Sequence, residues 1–97
     1  MKGFRVVPLT SEGKIPDEVG EIHHFSCSLE RAKWWADRLP MEDDQFVPSS
    51  FIFGYAIVEV EVDDNSVQED RFFPGGEDLV GMILSARPVI ICRYETT

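Results

Sequence analysis

The segment from Phe51 to Val62 constrains the fold of this chain more than any other. It is rich in β-branched and aromatic residues, which favour extended backbone. Valines at every second position from 58 to 62 alternate with Glu59 and Glu61, and neighbouring side chains of a strand point to opposite faces. The pattern predicts a half-buried strand with its valines in a core and two carboxylates on its outer face. Gly54 predicts a bulge that brings the early phenylalanines to the core face.

A single amphipathic helix is predicted from Leu29 to Leu39. Ser28 is placed as its N-cap, and Pro40 ends it. At 100° per residue Trp34 falls on the side opposite the apolar face, together with Arg31. The residues that share the apolar face are Leu29, Ala32, Trp35, Ala36 and Leu39.

Shorter apolar runs complete the secondary structure. Strands are predicted at 4–7, 22–25 and 89–94, and Asp63 to Ser66 has the composition of a turn. Residues 77–85 fit either a second short helix or a strand. We therefore expect one α+β domain over residues 1–97, with an antiparallel or mixed β-sheet packed by the main helix at about 29–39.

Negative charge is concentrated in one block of the chain. The whole chain has 18 acidic and 9 basic residues, a net charge of −9. Between residues 39 and 86 there are 11 acids and one base, so this block carries −10 and the flanks together carry +1. Such segregation creates a directional field that steers a basic partner and disfavours direct binding to nucleic acid or to an anionic membrane.

Cysteine content and the N-terminal sequence bear on the compartment. The chain has two cysteines and no apolar stretch typical of an export signal or a membrane span. We therefore expect reduced thiols and a cytoplasmic protein. The adjacent histidines His23 and His24 point to opposite faces of a strand, and no metal site is predicted.

The acidic residues suggest a binding surface. Glu59 and Glu61 lie about 6.6 Å apart on one strand face, and acidic loops are expected to converge around them. The predicted partner-binding residues are Glu42, Asp43, Asp44, Glu59, Glu61, Asp63, Asp64, Glu69 and Asp70. Trp34, flanked by Arg31 and Arg38, is predicted to give a second contact patch, because an exposed Trp beside Arg is typical of interfaces.

In its size and in the segregation of its acids, the chain resembles the small phage-encoded anti-CRISPR and anti-restriction proteins that mimic DNA. This resemblance implies a non-enzymatic inhibitor without a cofactor. Its partner would be a basic nucleic-acid-binding protein or nuclease complex, whose DNA-binding surface it would occupy.

A second, local resemblance leads to an alternative function. Phe25-Ser26-Cys27-Ser28 before the helix, with Glu59-Val60-Glu61 later, is similar to the aromatic-x-Ser-Thr-Ser and Glu-x-Glu elements of arginine-type ADP-ribosyltransferases. The resemblance implies a domain that binds NAD or ADP-ribose, with or without catalysis. Arg5 would hold a phosphate, Ser26 would orient the nicotinamide ribose, and Glu61 would stabilise the transition state. Cys27 stands where that family has Thr.

Overall fold

A computed structural model of the chain describes residues 1–38, 49–71 and 75–94. Within these ranges the chain forms a five-stranded antiparallel sheet and one α-helix. The strands are β1 (Lys2–Pro8), β2 (Ile22–Ser26), β3 (Gly54–Val62), β4 (Gln68–Glu69) and β5 (Asp78–Arg93), and the helix is α1 (Leu29–Arg38). Two 3-10 helices, Ser49–Phe53 and Asp64–Ser66, precede and follow β3.

The sheet closes on itself because β5 is long enough to pair with strands on both of its edges. The strand order is β2-β1-β3-β5-β4, with an additional pairing between β2 and β5. Residues 78–82 of β5 pair with β2, whereas residues 83–93 pair with β3. Strands β2, β1, β3 and β5 therefore form a small barrel in which the start of β5 lies beside the end of β2.

Hydrophobic residues pack on both sides of β3. On the inner side Val58, Val60 and Val62 are at most 2% exposed and pack with Phe25 and Ile83. On the outer side Ile57 is fully buried beneath Ala32 and Ala36 of α1. Since both faces of β3 are buried near residue 57, only its later positions are left for charged side chains.

The helix agrees with its predicted start and its apolar face. Ser28 accepts a hydrogen bond from the backbone N–H of Arg31 at 3.1 Å, as expected of an N-cap. Ala32 and Ala36 are buried, and Leu29 packs partly against them. Small alanines let the helix lie close to the sheet. Leu39 lies outside the described residues.

Two predictions of secondary structure need correction. The short helix considered at 77–85 is wrong, because this segment is the first half of β5 and pairs with β2 on one edge and β4 on the other. The alternative prediction of a strand is confirmed, and the buried hydrophobic residue in this half of β5 is Ile83, while Leu84 is 49% exposed.

The strand predicted from Phe51 begins three residues later. Residues 49–53 form a 3-10 helix, and Gly54 has a φ of 118°, which only glycine adopts readily. A Cβ at Gly54 would lie 2.2 Å from the carbonyl oxygen of Cys92, so the backbones meet here. The bulge predicted at this glycine is found instead at Ile57/Val58 and at Glu61/Val62, where the register with β5 shifts.

No helix in the described part of the chain has the length and apolar character needed to cross a membrane.

Candidate functional site

The most connected polar group of the described residues is the carboxylate of Asp78, at the start of β5. Its side chain is 5% exposed and forms an ion pair with Arg31, with an Nη2–Oδ2 distance of 2.9 Å. Trp35 donates its indole N–H to Oδ1 at 2.9 Å, and the Ser26 hydroxyl donates to the same atom at 3.0 Å. We call these four residues (Ser26, Arg31, Trp35 and Asp78) the Asp78 cluster.

The donors keep Asp78 ionised in spite of its burial. Burial by itself would raise the pKa of Asp78. Hydrogen bonds from Arg31, Trp35 and Ser26, together with the positive charge of Arg31, outweigh that effect and lower the pKa. Asp78 is therefore a fixed negative charge beneath the first turns of α1.

Strand pairing and the helix cap place the members of the cluster. Ser26 is the last residue of β2 and is the register partner of Asp78 in β5. Arg31 and Trp35 are one turn apart on α1, so both reach the same carboxylate. The backbone N–H of Cys27 donates to the carbonyl of Glu77 at 2.9 Å, which continues the pairing beyond the cluster.

Cys27 adjoins the cluster but is not an activated nucleophile. Its thiol donates to the carbonyl oxygen of Gly76 at 3.0 Å. Desolvation and the negative charges of Asp78 and Glu77 raise the pKa of Cys27, which disfavours the reactive thiolate.

Trp34 lies next to the cluster and is stacked by two arginines. The guanidinium carbons of Arg31 and Arg38 are 4.0 Å and 3.4 Å from the centre of a Trp34 ring. These arginines occupy positions i−3 and i+4, so the helix itself supplies both contacts. Trp34 is half-buried by this stacking, and its predicted role as a partner anchor stays a prediction.

Arg5 on β1 forms a second polar centre on the inner side of the sheet, because it is the register partner of Val58, whereas Ser26 is paired with Phe4 on the side of α1. Its Nε and Nη2 donate to the two carboxylate oxygens of Glu18 at 2.6 and 2.9 Å, and Nη1 donates to the carbonyl of His24 at 2.9 Å. The side chains of Arg5 and Glu18 are only 15% and 14% exposed. His23 is 3.3 Å from Glu18 and 2.9 Å from Glu21. Every nitrogen of the Arg5 guanidinium is therefore engaged.

Glu61, the third residue of the transferase resemblance, lies away from Ser26. Phe4 of β1 pairs with Ser26 on one side and with Glu59 on the other. Ser26 and Glu59 are thus separated by two strand spacings, about 10 Å, and Glu61 is two residues further along β3. The acid that meets Ser26 is Asp78.

The acids at the end of β3 contact cations of the same molecule. Glu59 is 3.0 Å from Arg87, and Glu61 is 3.2 Å from the N-terminal amine of Met1. The hydrogen bond from Arg87 lowers the pKa of Glu59. We call Glu59, Glu61, Asp63 and Asp64 the acidic row.

The remaining predicted acids also have partners. Asp63 accepts from the N–H of Asn65 as a helix cap, and Asp64 lies 2.8 Å from the N-terminal amine. Glu69 accepts from the N–H of Gly75, and the largely buried Asp70 is 3.4 Å from His24. Glu42, Asp43 and Asp44 lie outside the described residues. The valines are buried as predicted, while Glu59 is only 19% exposed, less than an open ladder of carboxylates requires.

Asp78 is a candidate site residue that the sequence pattern does not single out, since it is one of the 11 acids of the block between residues 39 and 86. One signal for it is its position immediately before an apolar run, because such an acid lies at the start of an element. The hydrogen bond between Ser26 and Asp78 could not be predicted from the sequence, because the two residues are 52 positions apart.

No group of three or more His, Cys, Asp or Glu side chains among the described residues is arranged to hold a metal ion. Comparison of the chain with protein-family models, with curated proteins and with solved structures finds no match.

Proposed function

We propose that this chain is an ADP-ribosyltransferase-like domain that binds NAD or ADP-ribose through its diphosphate and ribose and does not hydrolyse them. One observation carries the proposal. Ser26 of β2 and Asp78 of β5 are register partners, and Arg31 of α1 pairs with the same Asp78 carboxylate. A serine, an acid and an arginine are the residue types that the resemblance implies, although the resemblance itself assigns Arg5 and Glu61 to the site.

The donors of the Asp78 cluster and the neighbouring Trp34 suit a nucleoside diphosphate. Arg31 binds the carboxylate of Asp78 through Nε and Nη2, and a carboxylate presents two oxygens much as a phosphate does. Arg31 extends along α1 against the Trp34 ring, and Ser26 supplies a hydroxyl that also accepts hydrogen bonds. Guanidinium groups and an aromatic ring are the groups that hold phosphates and stack on bases.

The state of the acids argues for binding without hydrolysis. Asp78 is 5% exposed and its oxygens accept from Arg31, Trp35 and Ser26, so it has little capacity left to stabilise a developing positive charge. Glu61 lies at the far side of β1 from Ser26. Glu77, which precedes Asp78 in sequence, is 68% exposed and lies 3.5 Å from Arg31.

Calorimetric titration with ADP-ribose and with NAD tests the proposal. We expect saturable 1:1 binding by the wild-type chain and weaker binding by Ser26→Ala. Ser85→Ala is the matched control, because this exposed serine of β5 lies beside Glu61 and not beside Asp78. Thermal unfolding of both variants shows that they are folded.

Two results would contradict the proposal. Absence of saturable binding at millimolar ADP-ribose and NAD rejects the nucleotide site. Release of nicotinamide from NAD above the uncatalysed rate, lost in Asp78→Asn, shows an active transferase and rejects the non-hydrolytic part.

The acidic inhibitor remains a second candidate because part of the acidic block is open to solvent. Asp64 and Glu77 are 80% and 68% exposed, in a block that carries −10. Exposed carboxylates of this kind attract a basic protein through contacts that weaken with salt. Capture from lysate with the chain immobilised, at low and at high salt, tests it. Failure to retain any basic nucleic-acid-binding protein at low salt would reject it.

A further inference from the structure

We propose that the second half of β5 is a docking edge for an extended, acidic segment of a partner protein, which adds to the sheet as a further strand. Residues 84–93 have β3 as their neighbour on one edge, and among the described residues no strand pairs with their other edge. We call that edge the open edge. It lies beyond the residues of β5 that pair with β2, so it is separate from the Asp78 cluster.

The two halves of β5 differ in exposure because they differ in neighbours. The segment 78–83 has β2, Gly20 and Glu21 on one edge and β4, Asp63 and Val62 on the other, and none of its residues is exposed. The residues from Leu84 to Val89 are all exposed, although the side chains of a strand point alternately to its two faces. A strand edge without a neighbour presents unpaired N–H and C=O groups, which an extended chain can pair with.

The connection between β1 and β2, residues 10–21, leaves the open edge uncovered. It bonds to the backbone of β5 at Ile83, which donates to Glu21 and accepts from Gly20. A second contact is made at Gly13, whose carbonyl accepts from the side chain of Arg93. Within the part of the chain that the structure describes, no backbone hydrogen bond joins this connection to residues 84–92.

Pro88 fits an edge that has no partner within the folded chain, and it disfavours a second copy as the occupant. Proline has no N–H to donate and is confined to edge positions or irregular points of a sheet. Its register partner on β3 is Val58, next to the register shift between Ile57 and Val58. In a two-fold pairing of two copies, both strands would bring this missing donor and this irregularity. A regular strand from another chain brings neither.

The side chains of the open edge favour an acidic and partly apolar segment. Leu84, Val89 and Ile91 are 49, 40 and 42% exposed, and such side chains pack against those of an added strand. Between residues 79 and 94 there is no acid, while Arg87 and Arg93 are both present. Arg93 is exposed and donates to a neutral carbonyl, without an ion pair to any described carboxylate. Since a second copy carries the same arginines at this edge, charge also favours a different, acidic chain.

Binding of a synthetic peptide to the full chain tests the proposal. The peptide has about ten residues, alternates valine and threonine, and carries two glutamates at the sequence spacing of Arg87 and Arg93. We expect saturable binding in fluorescence anisotropy, with protection of the amides of residues 84–93 from hydrogen exchange. A matched peptide with lysines in place of the glutamates should bind about tenfold more weakly. N-methylation of the peptide amides removes their donors and should abolish binding.

Substitutions in the protein separate strand addition from a contact made by side chains alone. Arg93→Gln should weaken binding of the glutamate peptide about fivefold, as expected for the loss of one exposed ion pair. Lys33→Gln is the matched control, because Lys33 is an exposed cation of α1, and it should leave binding unchanged. Pro88→Ala restores a backbone N–H at the open edge and should strengthen binding about fivefold, as one added hydrogen bond does. Thermal unfolding shows that the variants are folded.

Three results would overturn the proposal. The first is the absence of saturable binding at millimolar glutamate peptide, and the second is equal affinity for the glutamate and lysine peptides. The third is a concentration-dependent dimer in sedimentation equilibrium whose amides are protected at residues 84–93, which would assign the open edge to a second copy. Unchanged or weaker binding by a folded Pro88→Ala variant would equally contradict pairing through the backbone.

Discussion

The Asp78 cluster and the acidic row are both built from carboxylates, yet they differ in almost every physical respect. Asp78 is buried and receives hydrogen bonds from three side chains on two other elements. Glu59 and Glu61 sit at the edge of the fold, and each contacts a cation that is itself well exposed, Arg87 or the chain's own amine. Position in the fold, and not local charge density, therefore decides which acid is structurally committed.

This difference matters because the two proposed functions depend on different regions. The nucleotide proposal depends on a buried carboxylate that orients an arginine and a serine, whereas the inhibitor proposal depends on exposed carboxylates, such as Asp64, that would act on a partner through the long-range field. The sequence pattern predicts a binding surface at the acidic row, whereas the structure shows its most extensively hydrogen-bonded carboxylate in the Asp78 cluster.

The largest effect is expected from Asp78→Asn. The amide removes the charge that pairs with Arg31 and, with its oxygen at the position that accepts from Trp35 and Ser26, places an N–H₂ group against the donors of Arg31. We expect the free energy of unfolding to fall by about 3 kcal/mol, as when one member of a buried pair is removed, measured by urea denaturation. The matched control is Asp64→Asn, whose carboxylate is 80% exposed and should matter little. If both variants lost the same free energy of unfolding, the Asp78 cluster and the acidic row would not differ in their contribution to stability.

The second largest effect is expected in the pH dependence of the stability difference between the wild type and Asp78→Asn. The pKa of Asp78 is lower in the folded protein than in the unfolded chain, where it is about 3.9. The folded state thus binds fewer protons in this range, and the stabilisation by Asp78 is complete above that pH and disappears as the pH falls through the folded pKa. The difference in stability between wild type and Asp78→Asn should therefore narrow below about pH 4. If the difference in the free energy of unfolding stayed constant between pH 6 and pH 3, the charge of Asp78 would not be the source of the stabilisation.

A smaller effect is expected from Trp35→Phe. The ring remains, but the hydrogen bond from the indole N–H to Asp78 is lost, which should cost about 1.5 kcal/mol because the acceptor is charged. Trp34→Phe is the matched control on the same helix. It loses part of the stacking with Arg38 but no bond to Asp78, so it should cost less in the same denaturation experiment. If Trp34→Phe lowered the free energy of unfolding more than Trp35→Phe does, the stacking on Trp34 would matter more to stability than the hydrogen bond to Asp78.

The smallest effect is expected from the double change Glu59→Gln and Glu61→Gln. Both partners are exposed cations, and such pairs add little to stability in salt. The unfolding transition should be indistinguishable from that of the wild type at physiological ionic strength. A clear loss of stability would mean that the ion pairs of the acidic row stabilise the fold, and these carboxylates would then be less available to bind a partner.

The sequence by itself determined the elements whose signals are local. The valines from 58 to 62 placed the core face of β3, and Ser28 placed the start of α1, because side-chain period and capping depend on neighbours within a few residues. The α+β class followed from those elements. Local rules also placed Arg31 and Arg38 beside Trp34, since positions i−3 and i+4 meet on any helix, whereas the stacking of their guanidinium groups on its ring is a finding of the structure.

Only the tertiary structure decided what depends on pairing between distant segments. Residues 77–85 carry signals for helix and strand alike, and pairing with β2 and β4 on both edges made them a strand. The same pairing set Ser26 opposite Asp78, two residues 52 positions apart, and separated Ser26 from Glu61. The resemblance singled out Arg5 from the sequence, but its contact with Glu18 depends on the course of residues 10–21 between β1 and β2. Register across a sheet is fixed by the packing of the whole core. The Asp78 cluster could therefore be identified only from the tertiary structure, in which β2 pairs with β5.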